Sequence, residues 1–167
     1  MADRTGKSMG RNRQKSELIF ESLDHSHLPI LKSWFSNPDT KRWVEEPSDR
    51  LVSYIKSEPQ YYAWVAVQES ETVGLVLCEI EKEVGSVYLV VNPGSRRRGY
   101  GRRILHLLKR RPEIARASAL IAEIDPKNVA SLACFRSVGF SGESEIPSEE
   151  GLVRLTCRLG QESCKTI

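Results

Sequence analysis

No apolar run in this sequence approaches the roughly 20 residues that an α-helix needs to cross a bilayer. The basic N-terminus has no apolar core behind it of the kind a secretory leader carries, so neither membrane insertion nor export is expected. Cysteine is sparse. Cys78, Cys134, Cys157 and Cys164 have no paired spacing, and three of them sit in apolar runs, where free thiols are commonly buried. That excludes a disulfide framework and points to a reduced, cytoplasmic protein. Histidine is scarcer still: His25 and His27 stand beside Asp24 with no further cluster of ligand residues, so no metal site is expected. Net charge is only +3, which gives no global argument for nucleic acid, and there is no internal repeat or low-complexity segment.

What is present is ordinary for one globular domain: 167 residues, 40% hydrophobic and 28% charged. Residues 1–16 carry Arg4, Lys7, Arg11, Arg13 and Lys15 with almost nothing apolar, so a basic tail is expected there. The domain is expected over residues 17–160, followed by a short C-terminal tail at 161–167. Positive charge is local, since residues 96–111 hold eight Arg or Lys in sixteen positions. Such a patch suits the several phosphates of a nucleotide-like cofactor and also suits an RNA backbone. An RNA-binding module is disfavoured because no aromatic stacking platform interleaves with the arginines.

Periodicity places a first strand at 17–23. Asp24 or Ser26 caps a helix bearing Leu28, Ile30, Leu31, Trp34 and Phe35, which ends before Asn37-Pro38. A second helix is expected over 48–56, then hairpin strands at 61–68 and 72–80. The second of these is apolar at both parities, which requires cover on both faces. Beyond residue 111 the pattern predicts a short irregular or helical link at 112–117 and a strand at 119–124. A helix capped by Asn128 and stopped by Gly139 follows, then strands at 140–145 and 152–159 around a polar turn. The expected architecture is a mixed α/β sheet with helices on both faces in a single domain.

The chain is organised around residues 86–111. Val87, Leu89 and Val91 alternate with Tyr88 and Val90 to make a strand, which Asn92-Pro93-Gly94 stops. Ser95-Arg96-Arg97-Arg98-Gly99-Tyr100-Gly101 follows, and then an amphipathic helix with Ile104, Leu105, Leu107 and Leu108 on its apolar side. Glycines bring the backbone close to a ligand, and the first amides of a helix have no intrahelical partner. Strand, basic glycine turn and helix therefore form a phosphate cradle. A Walker loop needs Gly-Lys-Ser/Thr at the helix start, which is absent.

The spacing Arg96-x-x-Gly99-x-Gly101 after an apolar strand resembles the acetyl-CoA pyrophosphate loop of the GNAT superfamily of N-acetyltransferases. Asn128, Ser131, Phe135, Gly139 and Phe140 are similar to the family's distal segment. One departure is Arg97, where members often carry glycine. The resemblance implies a GNAT-like fold and acetyl-CoA as co-substrate. It places the pantetheine and thioester against backbone groups of Leu89, Val90 and Val91, and the pyrophosphate on the amides of Arg96, Arg97, Arg98, Gly99, Tyr100 and Gly101. Arg96 and nearby arginines, Arg102 among them, would supply counter-charge. Asn128 and Ser131 would touch the cofactor from the next helix, and Phe135 would pack beside its thiol end.

The implied chemistry is direct attack of a neutral amine on the thioester, which needs a general base and a general acid. Glu79, interrupting an apolar run at a strand end, is the leading base, with Glu83 and Asp125 behind it. Phe135 stands where many members have a tyrosine and cannot donate a proton, so Tyr88, Tyr100 or water would replace it. Cys134 reads as a buried structural thiol. The acceptor is expected to be a primary amine of a small molecule or of a protein N-terminus, met by Trp34, Trp43 and the acidic residues Asp39, Glu45, Glu46, Asp49 and Glu58. A CoA-binding regulatory domain with little or no turnover is the alternative, and a homodimer stays open.

Overall fold

The computed structural model describes residues 17–142 and 151–160. The expected tails at 1–16 and 161–167, and the turn around 147–151 apart from Gly151, lie outside the described residues. Six strands form one sheet in chain order: β1 (Ile19–Ser22), β2 (Tyr61–Gln68), β3 (Glu71–Glu81), β4 (Val84–Val91), β5 (Ala119–Ile124) and β6 (Val153–Arg158). Helices α1 (Leu28–Ser33), α2 (Pro38–Trp43) and α3 (Asp49–Ser57) join β1 to β2. Helix α4 (Tyr100–Leu108) joins β4 to β5, and α5 (Val129–Arg136) joins β5 to β6. All neighbouring strands are antiparallel except β4 and β5, whose connection through α4 makes them parallel.

The hairpins close tightly. Gln68 pairs with Glu71 and Glu81 with Val84, leaving two-residue loops at Glu69-Ser70 and Lys82-Glu83, where all four residues have positive φ. Two central residues at positive φ match the right-handed twist of the flanking strands. The pattern ordinarily recruits Asn or Gly, so neither loop announced itself as a two-residue turn in the sequence.

Alternation along the strands sorts side chains into two layers. Val76, Cys78 and Ile80 of β3 pack with Ile104, Leu105 and Leu108 of α4 and Leu132 and Phe135 of α5. Leu75, with Ala63, Val65 and Val90, packs with Leu28, Leu31, Trp34, Phe35, Val52 and Ile55. The expectation that β3 is covered on both faces therefore holds, and the fold is a sheet between two helical layers.

Two details differ from the sequence reading. Asn37-Pro38 ends one helical stretch as expected but also starts another: the Asn37 side chain accepts hydrogen bonds from the amides of Asp39 and Thr40, and Pro38 occupies the first turn. Near the C-terminus the anticipated strand at 140–145 contributes an isolated bridge, Ser141 to Thr156, and its remainder beyond residue 142 lies outside the described residues.

Candidate active site

Strand β4 follows β3 along its whole length, from the pair Glu81–Val84 to Gly74–Val91. It pairs with β5 only at Val84, Gly85 and Ser86. Beyond Ser86 the two strands part, and the gap is the floor of the site. Asn92 continues the β3 ladder by donating its amide to the Val73 carbonyl at 2.9 Å. Because backbone groups alternate sides along a strand, Tyr88 and Val90 also turn theirs to β3, while Val87, Leu89 and Val91 turn theirs to the gap. Val90 therefore lines the site without offering its main chain, a correction to the expectation that all three of Leu89, Val90 and Val91 would do so.

A cleft of about 650 Å³ opens over this gap, within the usual range for a small-molecule site. Its floor is Leu89, Val90 and Val91. One wall is the basic turn, with Arg96, Arg97, Gly99, Tyr100, Gly101 and Arg102. The facing wall is α5 with Asn128, Ser131, Cys134 and Ser137, and its mouth is bordered by Asp39, Thr40 and Trp43 of α2. Sequence reasoning missed Thr40 and Ser137 here. Their one available signal was the Asn37-Pro38-Asp39 cap for α2 and the four-residue helical spacing from Ala133 to Ser137 for α5.

The turn is built to present amides. Gly99 precedes α4 with φ +79°, a left-handed conformation that glycine adopts freely, and nothing lies within 4 Å of where a Cβ would be. The first intrahelical bond runs from Arg103 to the Gly99 carbonyl, so the amides of Tyr100, Gly101 and Arg102 have no helical acceptor. Gly101 has a different role: a Cβ there would come within 2.8 Å of Cys134 Sγ, so its absence lets α5 close against α4. Arg97 has φ +58°, so a non-glycine residue takes a left-handed conformation in this turn. On the opposite wall the Asn128 side-chain oxygen accepts from the Ser131 amide at 3.2 Å, leaving its NH2 group for a ligand.

Other expected site residues lie elsewhere. Arg98 does not line the cleft; its guanidinium sits 5.4 Å from the Tyr100 ring, which Arg103 also approaches at 5.3 Å. Phe135 is 3% exposed, set edge-on against Phe140 at 5.0 Å in the core behind α5, because the helical turn that brings Cys134 to the cleft carries its neighbour inward. Glu79 and Tyr88 are on the α1–α3 side of the sheet and are not cleft residues. Glu79 lies opposite Ser86 and next to Tyr61, whose hydroxyl is pushed up by burial and by Glu79 and Tyr54. The Tyr88 hydroxyl donates to the Glu45 carbonyl at 3.4 Å and is pushed well above the usual phenol range by burial, then by Glu45. Trp34 is core, 4% exposed, whereas Trp43 borders the cleft with Arg42 stacked on its ring at 4.5 Å. Of the acidic residues flagged near the acceptor side, Asp39 lines the cleft; Asp49 instead pairs with His25 at 3.0 Å. Glu83 is in a β-turn, and Asp125 accepts from the Lys127 amide at 2.7 Å. Cys134 is a cleft residue, and burial pushes its thiol up against the opposing pull of Arg102, so it is protonated and unsuited to attack at neutral pH.

Among the described residues no helix is long and apolar enough to cross a membrane. Comparison with known proteins settles the family. A profile of the acetyltransferase (GNAT) family matches residues 28–140. The chain belongs to the acetyltransferase (GNAT) family. It is 31% identical over 141 residues to YfmK, an uncharacterized N-acetyltransferase of Bacillus subtilis (strain 168), covering 83% of this chain and 95% of the relative. Its family and this relative make it an N-acetyltransferase. Among solved structures it resembles a spermidine N-acetyltransferase from Vibrio cholerae in complex with CoA and spermine, with a TM-score of 0.70 at 14% identity over 84% of this chain and 95% of that one. It also resembles the aminoglycoside acetyltransferase AAC(6')-Ib in complex with coenzyme A and kanamycin, with a TM-score of 0.67 at 15% identity over 85% and 95%. At those identities the likeness is one of GNAT fold.

Proposed function

We propose that the cleft holds acetyl-CoA with its pyrophosphate on the amides of Tyr100, Gly101 and Arg102, and transfers the acetyl group to a compact primary amine entering beside α2. The parting of β4 from β5 over the N-terminus of α4 carries this reading: it exposes main-chain groups for an amide-rich pantetheine arm in line with unpaired helix amides for a diphosphate. Acetyl-CoA is the co-substrate, as the coenzyme-bound family structures support. Arg97 and Arg102 supply counter-charge at the cleft. Asn128 and Ser131 hold the coenzyme from α5.

A main-chain amide of Leu89 or Val91, facing the gap, meets the thioester oxygen as negative charge develops on it. The amine nitrogen attacks the carbonyl carbon, the carbon–sulfur bond breaks and coenzyme A leaves as a thiolate. An ordinary thiol titrates near pH 8.5, about seven units below bulk water, so its departure needs little help from a side-chain acid. Asp39 is the carboxylate at the cleft and draws the acceptor's ammonium form, while Trp43 flanks it. One proton passes from the ammonium to water through the open mouth before attack, and the second, left on nitrogen once the carbon–nitrogen bond forms, passes to the departing thiolate directly or through water.

The compact acceptor follows from that mouth, bounded by Asp39 and Trp43. The test is release of free coenzyme A from acetyl-CoA with polyamines, aminoglycosides, amino acids and short peptides on the purified full chain. Turnover with a small polyamine or aminoglycoside is expected. Turnover confined to peptides ending in a free α-amine would replace the small molecule by a protein N-terminus, and turnover confined to long basic peptides would overturn the compact acceptor.

A further inference from the structure

Helix α2 has six residues, too few to be stable on its own local interactions. Four of them, Pro38, Asp39, Lys41 and Arg42, are exposed, and its buried residue is a threonine, Thr40, at 1% exposure. Burying a hydroxyl is unfavourable without a partner. Thr40 Oγ1 finds one 56 residues away: it accepts a hydrogen bond from Arg96 Nη2 at 2.7 Å. Arg96 opens the basic turn and itself lines the cleft, so one guanidinium spans from the cofactor wall to the helix that carries Asp39 and Trp43. A guanidinium has five N–H donors in a fixed fork. The bond to Thr40 uses one, and the others remain for a phosphate oxygen.

We propose that Thr40 is a positioning residue that ties the acceptor side of the cleft to the cofactor turn through Arg96, so that coenzyme binding orders α2 before the amine arrives. This rests on the cleft being the acetyl-CoA site. A diphosphate that fixes the Arg96 guanidinium removes the freedom which otherwise weakens its bond to Thr40. Asp39 and Trp43, on the same short helix, are then held in place. Coupling of this kind is reciprocal, so whatever orders α2 also raises coenzyme affinity.

The experiment is hydrogen exchange by mass spectrometry on the full chain, with and without saturating coenzyme A, for wild type, Thr40→Val and Thr40→Ser. Coenzyme A is expected to slow exchange of the Lys41 and Val44 amides, which bond to the Asn37 and Thr40 carbonyls, by about five- to tenfold in wild type and in Thr40→Ser. In Thr40→Val the slowing falls to about twofold or less, while protection at the start of α4 persists in all three proteins. Equal protection of α2 in Thr40→Val, or failure of Thr40→Ser to restore it, overturns the proposal. Protection at α4 without any at α2 in wild type overturns it while leaving the cleft assignment intact; absence of protection at both overturns the assignment as well. Should Thr40→Val fail to fold, Arg96→Lys breaks the same link from the exposed turn and is expected to show the same loss.

Discussion

Gly101 looks like a cofactor glycine in the sequence, and the structure assigns it a second role that can be measured. A Cβ added there would lie 2.8 Å from Cys134 Sγ, 3.5 Å from Val91 Cγ2 and 3.7 Å from Leu89 Cδ2. The first distance is shorter than real contacts allow, so either Sγ is forced out of its rotamer or α5 shifts. Overpacking of this kind costs about 1–3 kcal/mol, against which Gly→Ala near a helix start returns at most about 1 kcal/mol. Gly101→Ala is therefore expected to be destabilising in urea titration, and Cys134→Ala, by removing Sγ, to recover most of that loss in the double variant. The expected coupling is about 1–2 kcal/mol, above the 0.3–0.5 kcal/mol within which independent sites add. Coenzyme A binding by calorimetry separates the two roles: the double variant regains stability, and the extra methyl beside the cleft still weakens binding. A neutral Gly101→Ala, or strict additivity with Cys134→Ala, would refute the packing role. The same geometry makes Gly101→Val a poor probe of the cradle, because it disturbs the fold, and leaves Gly99 as the cleaner site.

Phe135→Tyr is expected to lose about 1–3 kcal/mol of stability by placing a hydroxyl on a ring that is 3% exposed, with no gain in acetyl transfer; unchanged stability with a faster rate would show that the ring edge opens on the cleft. Cys134 is expected to react with a maleimide slowly, faster at pH 9 than at pH 7 because burial raises its thiol's pKa, and to be protected by coenzyme A, whereas Cys78, pushed up to about 12 by burial, stays unlabelled in the folded protein. Labelling of Cys134 that coenzyme A leaves unchanged would remove it from the cofactor wall.

The strands, their order of appearance and the turn at 95–101 were legible because each rests on local signals: alternation, breaker residues and glycine spacing. The reach of that logic ends where two segments distant in the chain meet. Glu79 and Tyr88 are well placed along their strands, but a strand gives no absolute face until the helices choose one, and Leu75 and Val90 commit their parity to the α1–α3 layer. Phe135 and Cys134 illustrate the same limit over a single residue: motif alignment favours the ring, while the helical phase set by Leu132, Val138 and the Phe140 contact turns the ring inward and the thiol outward. Thr40 had no periodic signal at all, since its helix is short and its partner is 56 residues away.

Those long-range partners share a destination. Among the described residues the buried polar side chains are Thr40, Gln68 and Ser95, and each bonds across the basic turn or its helix. Thr40 accepts from Arg96, Gln68 accepts from Arg103 at 2.7 Å, and Ser95 donates to Glu71 at 2.9 Å. Asn92 adds a fourth tie, from its side-chain NH2 to the Thr72 carbonyl at 3.1 Å. A turn with this many arginines would otherwise spread by mutual repulsion, and a spread turn would have to be gathered by its ligand at the ligand's expense. Anchoring it to α2, β2 and β3 with side chains already withdrawn from water places that cost in folding instead. On the proposed reading of the cleft, the amides of Tyr100, Gly101 and Arg102 would then meet a diphosphate without rearrangement, and the gap between β4 and β5 would take the rest of the coenzyme.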